Sequence, residues 1–396
     1  MEKESYVVNG FKASAVAAGI KKGSGLDLAL IFSEREAVAA GVFTKNKVKA
    51  APVILSQKNI RDGNVRAIIA NSGNANACTG NDGFRAAQRT AELVARELRI
   101  KPEEVLVAST GVIGAPLNTD LIEGAMTELV RTLSPSGIPR AVEAIMTTDC
   151  FPKISRFQGE ADGKPFELVG IAKGAGMIMP QMATMLCFVL SDIAIDADAL
   201  RRAVVASAEA SFNRITVDGD TSTNDTVVVM ANATAGNGPM GSSDYESFSS
   251  GLTRVMGELA AMIVRDGEGA TKAVQIIIRG ASTAAEAEAA ARTVANSTLV
   301  KTAFYGQDPN WGRIMAALGR SGIEMQEEHV DIWIDDVKIV EGGTGKGIKA
   351  EEEASQRMAN KAFSLTVALH QGEYEDRILT SDLTHDYVTI NATYRT

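Results

Sequence analysis

Six short apolar runs limit what this chain can fold into. Each is rich in β-branched or other apolar side chains and is bounded by Gly, Asn, Asp or Ser, a pattern typical of buried β-strands. We predict strands at these six places, which are residues 26–32, 65–70, 104–108, 185–190, 227–231 and 274–279.

Alanine-rich segments with helical periodicity lie between these runs, with apolar residues at i, i+3 and i+4. They are residues 84–98, 120–132, 196–211, 244–265 and 283–297. Strands and helices do not alternate one for one, and no predicted strand leads into a GxGxxG turn, so a doubly wound dinucleotide-binding fold is disfavoured. We predict a mixed α+β fold, a layered α/β sandwich.

Size and charge indicate the kind of partner. The chain has 396 residues, 45% of them hydrophobic, enough for one large or two medium domains with a substantial buried core. A net charge of -9 and a pI near 5.1 argue against a nucleic acid or an anionic membrane surface, because no basic stripe offsets the repulsion. We therefore expect a small-molecule partner, with no nucleic acid.

The cysteines and the first residues bear on the compartment. Cys78, Cys150 and Cys187 show no CxxC spacing, so neither a disulfide framework nor a zinc cluster is predicted. The opening MEKESYVVNGF is charged and lacks an apolar signal core, and no run approaches the roughly 20 apolar residues that a membrane-spanning helix needs. We expect a cytoplasmic protein that does not span a membrane.

Histidine and phosphate-loop chemistry find no support in the sequence. The three histidines, His329, His370 and His385, lie late in the chain and none neighbours a nucleophile, so a Ser-His-Asp triad is not indicated. No HExxH, His/Cys cluster or EF-hand loop predicts a metal site. The glycine-rich EGGTGKGIK has Ile348 where a phosphate loop needs Ser or Thr, which disfavours nucleotide binding.

The segment KGAGMIMPQMATMLCFVLSD, residues 173–192, places a threonine between a glycine-rich turn and a strand-like run. A threonine that becomes amino-terminal carries its own base, because an α-amino group titrates near about 8 and can accept the hydroxyl proton. Thr184 would reach that state if its hydroxyl attacked the Ala183 carbonyl and the resulting ester were hydrolysed. Gly174 and Gly176 permit a strained turn before it. From these residues alone, packing at a strand edge is the more ordinary role of Thr184.

Eight sequence blocks carry a resemblance to a known family. They are ANSGNANACTG (70–80), ASTGVIG (108–114), MTTDCFPK (146–153), KGAGMIMPQMATMLCF (173–188), TVDGDTSTNDT (216–226), RDGEGATK (265–272), YGQDPNWGRI (305–314) and INATYRT (390–396). With these blocks the chain resembles, along nearly its whole length, the ornithine acetyltransferases of arginine biosynthesis, also called bifunctional glutamate N-acetyltransferases.

The resemblance implies a precursor of the self-processing N-terminal-nucleophile type, cut between Ala183 and Thr184. The products would be an α chain, residues 1–183, and a β chain, residues 184–396, which stay associated as a heterotetramer of two each. It also implies ping-pong transfer of an acetyl group from N-acetylornithine to glutamate through an acetyl-Thr184 intermediate, with no cofactor. Some family members also use acetyl-CoA to acetylate glutamate, and the sequence leaves open whether this chain does.

The same resemblance implies roles for single residues. Thr184 would be the nucleophile, with the Thr110 hydroxyl and the Gly111 N–H as an oxyanion hole, donors placed where negative charge develops. Lys173 would meet a carboxylate of the bound amino acid. Glu268 would suit the cationic end of ornithine.

Two further places complete the implied site. Asn391 and the last residue, Thr396, match binding residues of the family, so the end of the chain would fold back over the pocket. The block MTTDCFPK departs from the family pattern, with Cys150 where a substrate-contacting threonine is common. A thiol is a poorer hydrogen-bond donor than a hydroxyl, so we expect this contact from Cys150 or from Thr147 or Thr148 beside it.

Several polar segments have turn chemistry as their simplest explanation. We expect some side chains among Asn71, Asn74, Asn76 and residues 218–225 to border the site. In QDPNWGR, we expect Asp308, Asn310 and Arg313 to brace the core near the site rather than to take part in chemistry.

Two other functions stay open. A related N-terminal-nucleophile aminopeptidase would share the self-cleavage but hydrolyse a peptide, and the MATML, QDPNWGR and YRT blocks favour the acetyltransferase over it. An inactive family member that binds amino acids would keep the chain uncut, and the intact MATML and STG blocks argue against it.

Overall fold

The structure is a computed structural model and describes residues 6–179 and 185–393. Its strands are β1 (Phe11–Val16), β2 (Leu28–Phe43), β3 (Asn64–Asn74), β4 (Val105–Val112), β5 (Lys153–Ala161), β6 (Lys164–Lys173), β7 (Leu186–Ser191), β8 (Ile215–Thr216), β9 (Thr226–Ala231), β10 (Ala273–Ala281), β11 (Asp331–Ile334), β12 (Val337–Glu341), β13 (Thr344–Gly345), β14 (Ala362–Ala368) and β15 (Tyr374–Ser381). Its α-helices are α1 (Ala51–Asn59), α2 (Gly80–Leu98), α3 (Thr119–Arg131), α4 (Ile138–Ile145), α5 (Ala197–Ala210), α6 (Ser242–Arg265), α7 (Ala284–Ala295), α8 (Thr298–Tyr305), α9 (Trp311–Gly319), α10 (Ile348–Met358) and α11 (His385–Thr393).

Short polar side chains fix the starts of several helices by accepting otherwise unpaired backbone N–H groups. Asn118 begins α3, Asp196 begins α5 and Thr283 begins α7, with oxygen-to-nitrogen distances of 3.0, 2.8 and 3.2 Å. The five predicted helices are confirmed as α2, α3, α5, α6 and α7. The six predicted strands are confirmed as β2, β3, β4, β7, β9 and β10.

The first sheet has its strands in the order β4-β3-β2-β9-β7-β6-β5, with β1 also paired to β2. Its central strands β7 and β9 run parallel and are buried along their whole length. Because successive side chains of a strand point to opposite faces, Cys187 and Val189 enter one core while Phe188 and Leu190 enter another. This explains why the run 185–190 reads as continuously apolar, as buried parallel strands do.

Helices cover both faces of this sheet. The first core contains side chains of α5 and α6, and the second contains side chains of α4 and β1. Each fully buried Val, Leu, Ile or Phe there contributes about 1.5–3 kcal/mol relative to exposure. The predicted layered α+β fold is confirmed.

The second sheet has the order β13-β12-β11-β14-β10-β15-β8. Its core joins Val274, Ile276 and Ile278 of β10 to the alanine-rich face of α7 and to α8 and α9. Asn310, in the QDPNWGR block, caps α9 by accepting the Arg313 N–H at 3.2 Å. This block therefore supports the core of the second sheet.

The two predicted chain halves do not correspond to the two sheets. In the first sheet β1 to β6 precede residue 184 while β7 and β9 follow it, and the hairpin partners Lys173 and Leu186 lie on opposite sides. A cut between Ala183 and Thr184 would leave both halves paired within one sheet. Ala183, Thr184 and Thr396 themselves lie outside the described residues.

A helix that crosses a membrane must be both long and apolar. Not one helix within residues 6–179 and 185–393 meets both requirements.

Candidate active site

A cavity of about 210 Å³ lies where the first sheet meets the carboxy-terminal helix. Its wall is formed by the ends of β4 and β6, the loops after α4 and α6, the polar loop 218–224 and one face of α11. The volume lies below the roughly 300–1,000 Å³ of pockets for drug-sized ligands, so it suits a molecule the size of an amino acid.

Lys173, the last residue of β6, lies in this wall with only 3% of its surface exposed. Its ammonium donates to the hydroxyls of Thr110 at 3.1 Å and Thr147 at 2.8 Å. An ammonium has no acceptor capacity, so both hydroxyls accept and each keeps its own hydrogen to donate elsewhere. Burial lowers the pKa of Lys173, an effect that the carboxylate of Asp149 partly offsets.

Thr110 and Gly111 lie near the end of β4, where the strand pairs in parallel with β3. Gly111 has a φ of +128°, and a Cβ there would lie 2.4 Å from the carbonyl carbon of Gly73. Glycine is therefore required for the two backbones to approach so closely. The strand thus places the predicted oxyanion-hole pair at the cavity wall.

Glu268 faces the cavity from the loop after α6 and is 9% exposed. Its backbone N–H donates to Ala175 O at 2.9 Å, and its Oε2 accepts from Asn391 Nδ2 at 2.8 Å. A Cβ on Gly176 would lie 2.4 Å from that carboxylate. Because Gly176 has no side chain, the turn that contains it leaves space for the Glu268 carboxylate.

The carboxy-terminal helix α11 covers the cavity through two side chains, Asn391 and Tyr387. The Tyr387 hydroxyl donates to Asp218 Oδ2 at 3.3 Å, and the Asp218 carboxylate also accepts the N–H groups of Met177 and Ile178 at 2.6 and 2.9 Å. Burial raises the pKa of both Tyr387 and Asp218. Helix α11 thus places Asn391 at the cavity wall, while Thr396 lies outside the described residues, and a role for either in binding stays a prediction.

A buried ion cluster lies behind Lys173. The Lys153 ammonium, fully buried, contacts Asp149 Oδ1 at 2.6 Å and Asp266 Oδ2 at 2.5 Å. Asp149 Oδ1 also accepts the N–H of Gly174 at 2.7 Å. Burial alone would raise the pKa of Asp149, but the ammonium groups of Lys173 and Lys153 outweigh it and lower this pKa to about 2. Two positive and two negative groups balance one another, which buried charges require.

Thr147 and Thr148 line the cavity, whereas Cys150 is exposed and is not part of its lining. The Cys150 N–H donates to both oxygens of Asp266, at 3.2 and 3.0 Å. Burial and the adjacent Asp266 raise the pKa of the thiol, which disfavours a reactive thiolate. A substrate contact at position 150 stays a prediction, and the structure favours the two threonines.

Some side chains of the polar loops hold the loops in place, and others line the cavity. Asn224 donates through Nδ2 to Ala75 O at 2.7 Å and to Ser109 O at 2.8 Å, which ties loop 218–224 to β4. Asp218, Asp220, Ser222, Thr223 and Asn224 also line the cavity, as expected of this run. The side chains of Asn71, Asn74 and Asn76 are buried and bond mainly to backbone groups.

Sequence reasoning did not assign roles to Tyr387 or to the ion cluster of Asp149, Lys153 and Asp266. Three of these four residues lie in the blocks MTTDCFPK and RDGEGATK, so the signal was present but not their pairing. Within the described part of the chain, no group of three or more His, Cys, Asp or Glu is arranged to hold a metal ion.

These features define a class of protein. A small polar cavity that brings together a buried lysine, hydroxyl donors and a carboxylate is typical of an enzyme that acts on a small charged molecule.

Comparison with known proteins specifies the class. The model of the ArgJ family matches residues 12–396. The arginine biosynthesis bifunctional protein ArgJ of Geobacter sulfurreducens is 50% identical to this chain, and the match covers 98% of this chain and all of the relative. The ArgJ protein of Desulfotalea psychrophila is 48% identical, and the match covers 98% of this chain and 99% of the relative. A crystal structure of an arginine biosynthesis bifunctional protein argJ from Bacillus halodurans matches with 43% identity and a TM-score of 0.50, covering 52% of this chain and 98% of the solved chain.

This chain belongs to the ArgJ family. It is an acetyltransferase, and its family acts in arginine biosynthesis.

Proposed function

We propose that this enzyme transfers an acetyl group from N-acetylornithine to glutamate by a ping-pong route through Thr184. The observation that carries the proposal is the pair of hydrogen bonds from Lys173 to Thr110 and Thr147 in the cavity wall. Because the Thr110 oxygen accepts from Lys173, the Thr110 hydroxyl hydrogen can donate to the acetyl carbonyl oxygen as it becomes negative. Acyl transfer requires such a donor. Family membership supports the same chemistry.

The charges of the cavity suit amino-acid substrates. Lys173 supplies a buried positive group and Glu268 a negative one, with further carboxylates at Asp218 and Asp220. A charge-assisted bond to each end of a zwitterionic ligand would fix its orientation. Ornithine carries an extra cationic end, for which the carboxylates provide the acceptors.

The proposed reaction has two half-reactions. The amine of Thr184 accepts the hydroxyl proton as Oγ attacks the acetyl carbonyl carbon, and the oxyanion is held by the Thr110 hydroxyl and the Gly111 N–H. Collapse breaks the amide C–N bond, and the stored proton leaves on the amine of ornithine. The amine of glutamate then attacks the acetyl ester, its proton returns to Thr184 Oγ, and N-acetylglutamate is released.

This route requires Thr184 to be amino-terminal, so we propose self-cleavage between Ala183 and Thr184. The solved Bacillus halodurans chain supports it, because 98% of that chain covers only 52% of this one, as expected if the precursor is divided near its middle. The shared sheet would keep both products together, and we further propose that two of each associate as a heterotetramer. Whether acetyl-CoA also serves as acetyl donor is decided by assaying it beside N-acetylornithine.

The test is the intact mass of the purified protein beside a Thr184→Ala variant. We expect two wild-type fragments whose masses sum to the precursor plus one water, an uncut variant, and acetyl transfer from N-acetylornithine to glutamate by the wild type alone. An uncut, inactive wild-type chain would contradict the proposal and favour an amino-acid-binding protein. Cleavage with peptide hydrolysis but no acetyl transfer would favour the aminopeptidase.

A further inference from the structure

The side chain of Asp149 is buried behind Lys173, and the proposed reaction does not use it. It has no exposed surface, and its two oxygens hold two backbone groups next to that lysine. Oδ1 accepts the N–H of Gly174, the residue after Lys173, at 2.7 Å, and Oδ2 accepts the N–H of Thr147 at 2.9 Å. Thr147 is itself an acceptor of the Lys173 ammonium. One carboxylate therefore fixes both the backbone of the lysine and one of its hydroxyl partners.

The same carboxylate belongs to a balanced set of buried charges. Its Oδ1 contacts the Lys153 ammonium at 2.6 Å, and that ammonium also contacts Asp266 Oδ2 at 2.5 Å. Together with Lys173, the set has two ammonium groups and two carboxylates. Lys21 is a further positive neighbour, and it has its own opposing carboxylate in Asp27. Because buried charges must be compensated, losing one carboxylate would leave an excess positive charge, which a buried lysine can relieve by releasing its proton.

Two other carboxyl groups near Lys173 are less suited to compensate it. The Glu268 carboxylate faces the cavity, where a bound ligand would compete for it. Burial raises the pKa of Asp225 well above its ordinary value, so this group has a reduced negative charge. Burial lowers the pKa of Lys173 itself, and the Asp149 carboxylate opposes this effect more than the other two groups do. Asp149 is therefore the main counter-charge of Lys173.

The charge of Lys173 decides what the Thr110 hydroxyl can do. An ammonium has no lone pair, so the Thr110 oxygen accepts from it and the hydroxyl hydrogen is left to donate elsewhere. A neutral amine has a lone pair, which can accept the hydrogen of the Thr110 hydroxyl. That hydrogen would then point at the lysine and away from the developing oxyanion, and the cavity would also lose its buried positive charge.

We propose that Asp149 is a positioning residue for acetyl transfer, which holds Lys173 as an ammonium that donates to Thr110. Asp149 is not part of the cavity lining as the structure describes it, so it acts through the lysine. Burial alone would raise the pKa of Asp149, but the ammonium groups of Lys173 and Lys153 lower it to about 2, so the group stays a carboxylate at neutral and alkaline pH. The proposal rests on the proposed function, since it requires an oxyanion that Thr110 meets.

The test is the pH dependence of acetyl transfer from N-acetylornithine to glutamate by Asp149→Asn, on protein whose cleavage is confirmed by intact mass. Asparagine keeps the shape of the side chain and an oxygen that accepts a backbone N–H, but it carries no charge. Without the carboxylate, Lys173 should release its proton at a lower pH. We expect the alkaline limb of kcat/KM to move down by about one pH unit or more, with at least about a tenfold loss of rate on its alkaline side.

Lys153→Met provides a change of opposite sign. It removes a positive neighbour of Lys173, so the alkaline limb should move to higher pH. The double variant Asp149→Asn/Lys153→Met loses one negative and one positive group, and its limb should return towards that of wild type. A merely structural role of Asp149 would lower the rate equally at every pH, and the second substitution would not correct it.

Asp192→Asn is the matched control. Asp192 is also a buried carboxyl group, and it accepts the Glu167 N–H at 2.8 Å. It follows the end of β7 that pairs with Leu168, whereas Lys173 pairs with the other end of that strand. Its variant should keep the wild-type rate and pH profile.

Three results would decide the matter. An unchanged alkaline limb in Asp149→Asn, with or without a lower rate, would overturn the proposal while the proposed function stands. A wild type that transfers no acetyl group would instead contradict the proposed function itself. If Asp149→Asn is not obtained folded and cleaved, Lys153→Met decides. A limb displaced to higher pH in that variant supports the proposal, and an unchanged limb overturns it.

Discussion

The ammonium of Lys173 donates to the hydroxyl of Thr110 at 3.1 Å, although the two residues are 63 positions apart in sequence. β6 brings the lysine and β4 brings the threonine to the same cavity. This contact gives the threonine a defined direction, because the oxygen accepts from the lysine and the hydrogen remains to donate.

Thr110→Ala should therefore remove a donor to the developing oxyanion. We expect kcat to fall by about 10²–10³-fold while the fold is kept, as for other oxyanion-hole donors. Steady-state acetyl transfer checks this, with Thr110→Ser, which retains the hydroxyl, expected to recover most of the rate. Thr293→Ala is a suitable control, since that hydroxyl donates to Ala289 O within α7. Equal rates for Thr110→Ala and wild type would remove Thr110 from the reaction.

Gly176→Ala tests the placement of Glu268. The added Cβ would lie 2.4 Å from the Glu268 carboxylate and must displace it. We expect KM for the amino-acid substrate to rise by about tenfold, equivalent to about 1.4 kcal/mol, with kcat less affected.

The control for that variant is Gly124→Ala on α3, where a Cβ would meet nothing within 4 Å. It should leave KM unchanged and stabilise the helix by about 0.5–1 kcal/mol. An unchanged KM in Gly176→Ala would show that the carboxylate position does not matter for binding.

Lys153→Met tests the ion cluster behind the cavity. Without its ammonium, Asp149 and Asp266 are left as buried carboxylates that Lys173 alone must compensate. We expect the free energy of unfolding to fall by about 3–5 kcal/mol in urea titrations. Adding Asp149→Asn should recover part of this loss, because it restores the charge balance. The exposed Lys164→Met should change stability by less than about 0.5 kcal/mol, and a similarly small effect at Lys153 would refute this account.

Lys301 makes stability depend on pH. Its ammonium is buried, donates to Thr380 Oγ1 at 3.0 Å, and burial lowers its pKa to about 7 from 10.5. At a pH between these two pKa values, Lys301 is protonated in the unfolded chain and has lost its proton in the folded chain. Stability therefore rises with pH across this window, by at most about 1.4 kcal/mol for each pH unit.

This pH dependence is tested by urea unfolding of wild type and Lys301→Met at a series of pH values from neutral upward. The difference in unfolding free energy between the two proteins should grow in favour of wild type as pH rises, because methionine does not titrate. A difference that is constant with pH would contradict the lowered pKa.

Much of the layered fold is predictable from the sequence because its buried strands are uniformly apolar and its long helices are alanine-rich. The hairpin of β5 and β6 was not predicted, since charged side chains such as Glu160 and Lys164 interrupt its apolar pattern. Helix α1 was missed as well, because its apolar residues follow no clear helical period. Tertiary packing determines these elements more than local pattern does.

The candidate site was predicted mainly through the family resemblance. Local patterns alone place Thr110 in a turn after a predicted strand and Glu268 in a surface loop, and the fold shows that the two residues share one cavity. The polar pattern of residues 218–225 predicts turns, whereas Asp225 at its end is buried next to the paired strands β7 and β9. Contacts between residues so distant in sequence leave no local signal.

The central claim is that the acetyl group passes through Thr184, and the most direct measurement is the mass of the residue 184–396 chain after brief mixing with N-acetylornithine. We predict that this chain gains one acetyl group, that peptide fragmentation places it on the Thr184 side chain, and that glutamate removes it as N-acetylglutamate forms. A chain that turns over substrate but never carries the acetyl group, or carries it at another residue, would contradict the account.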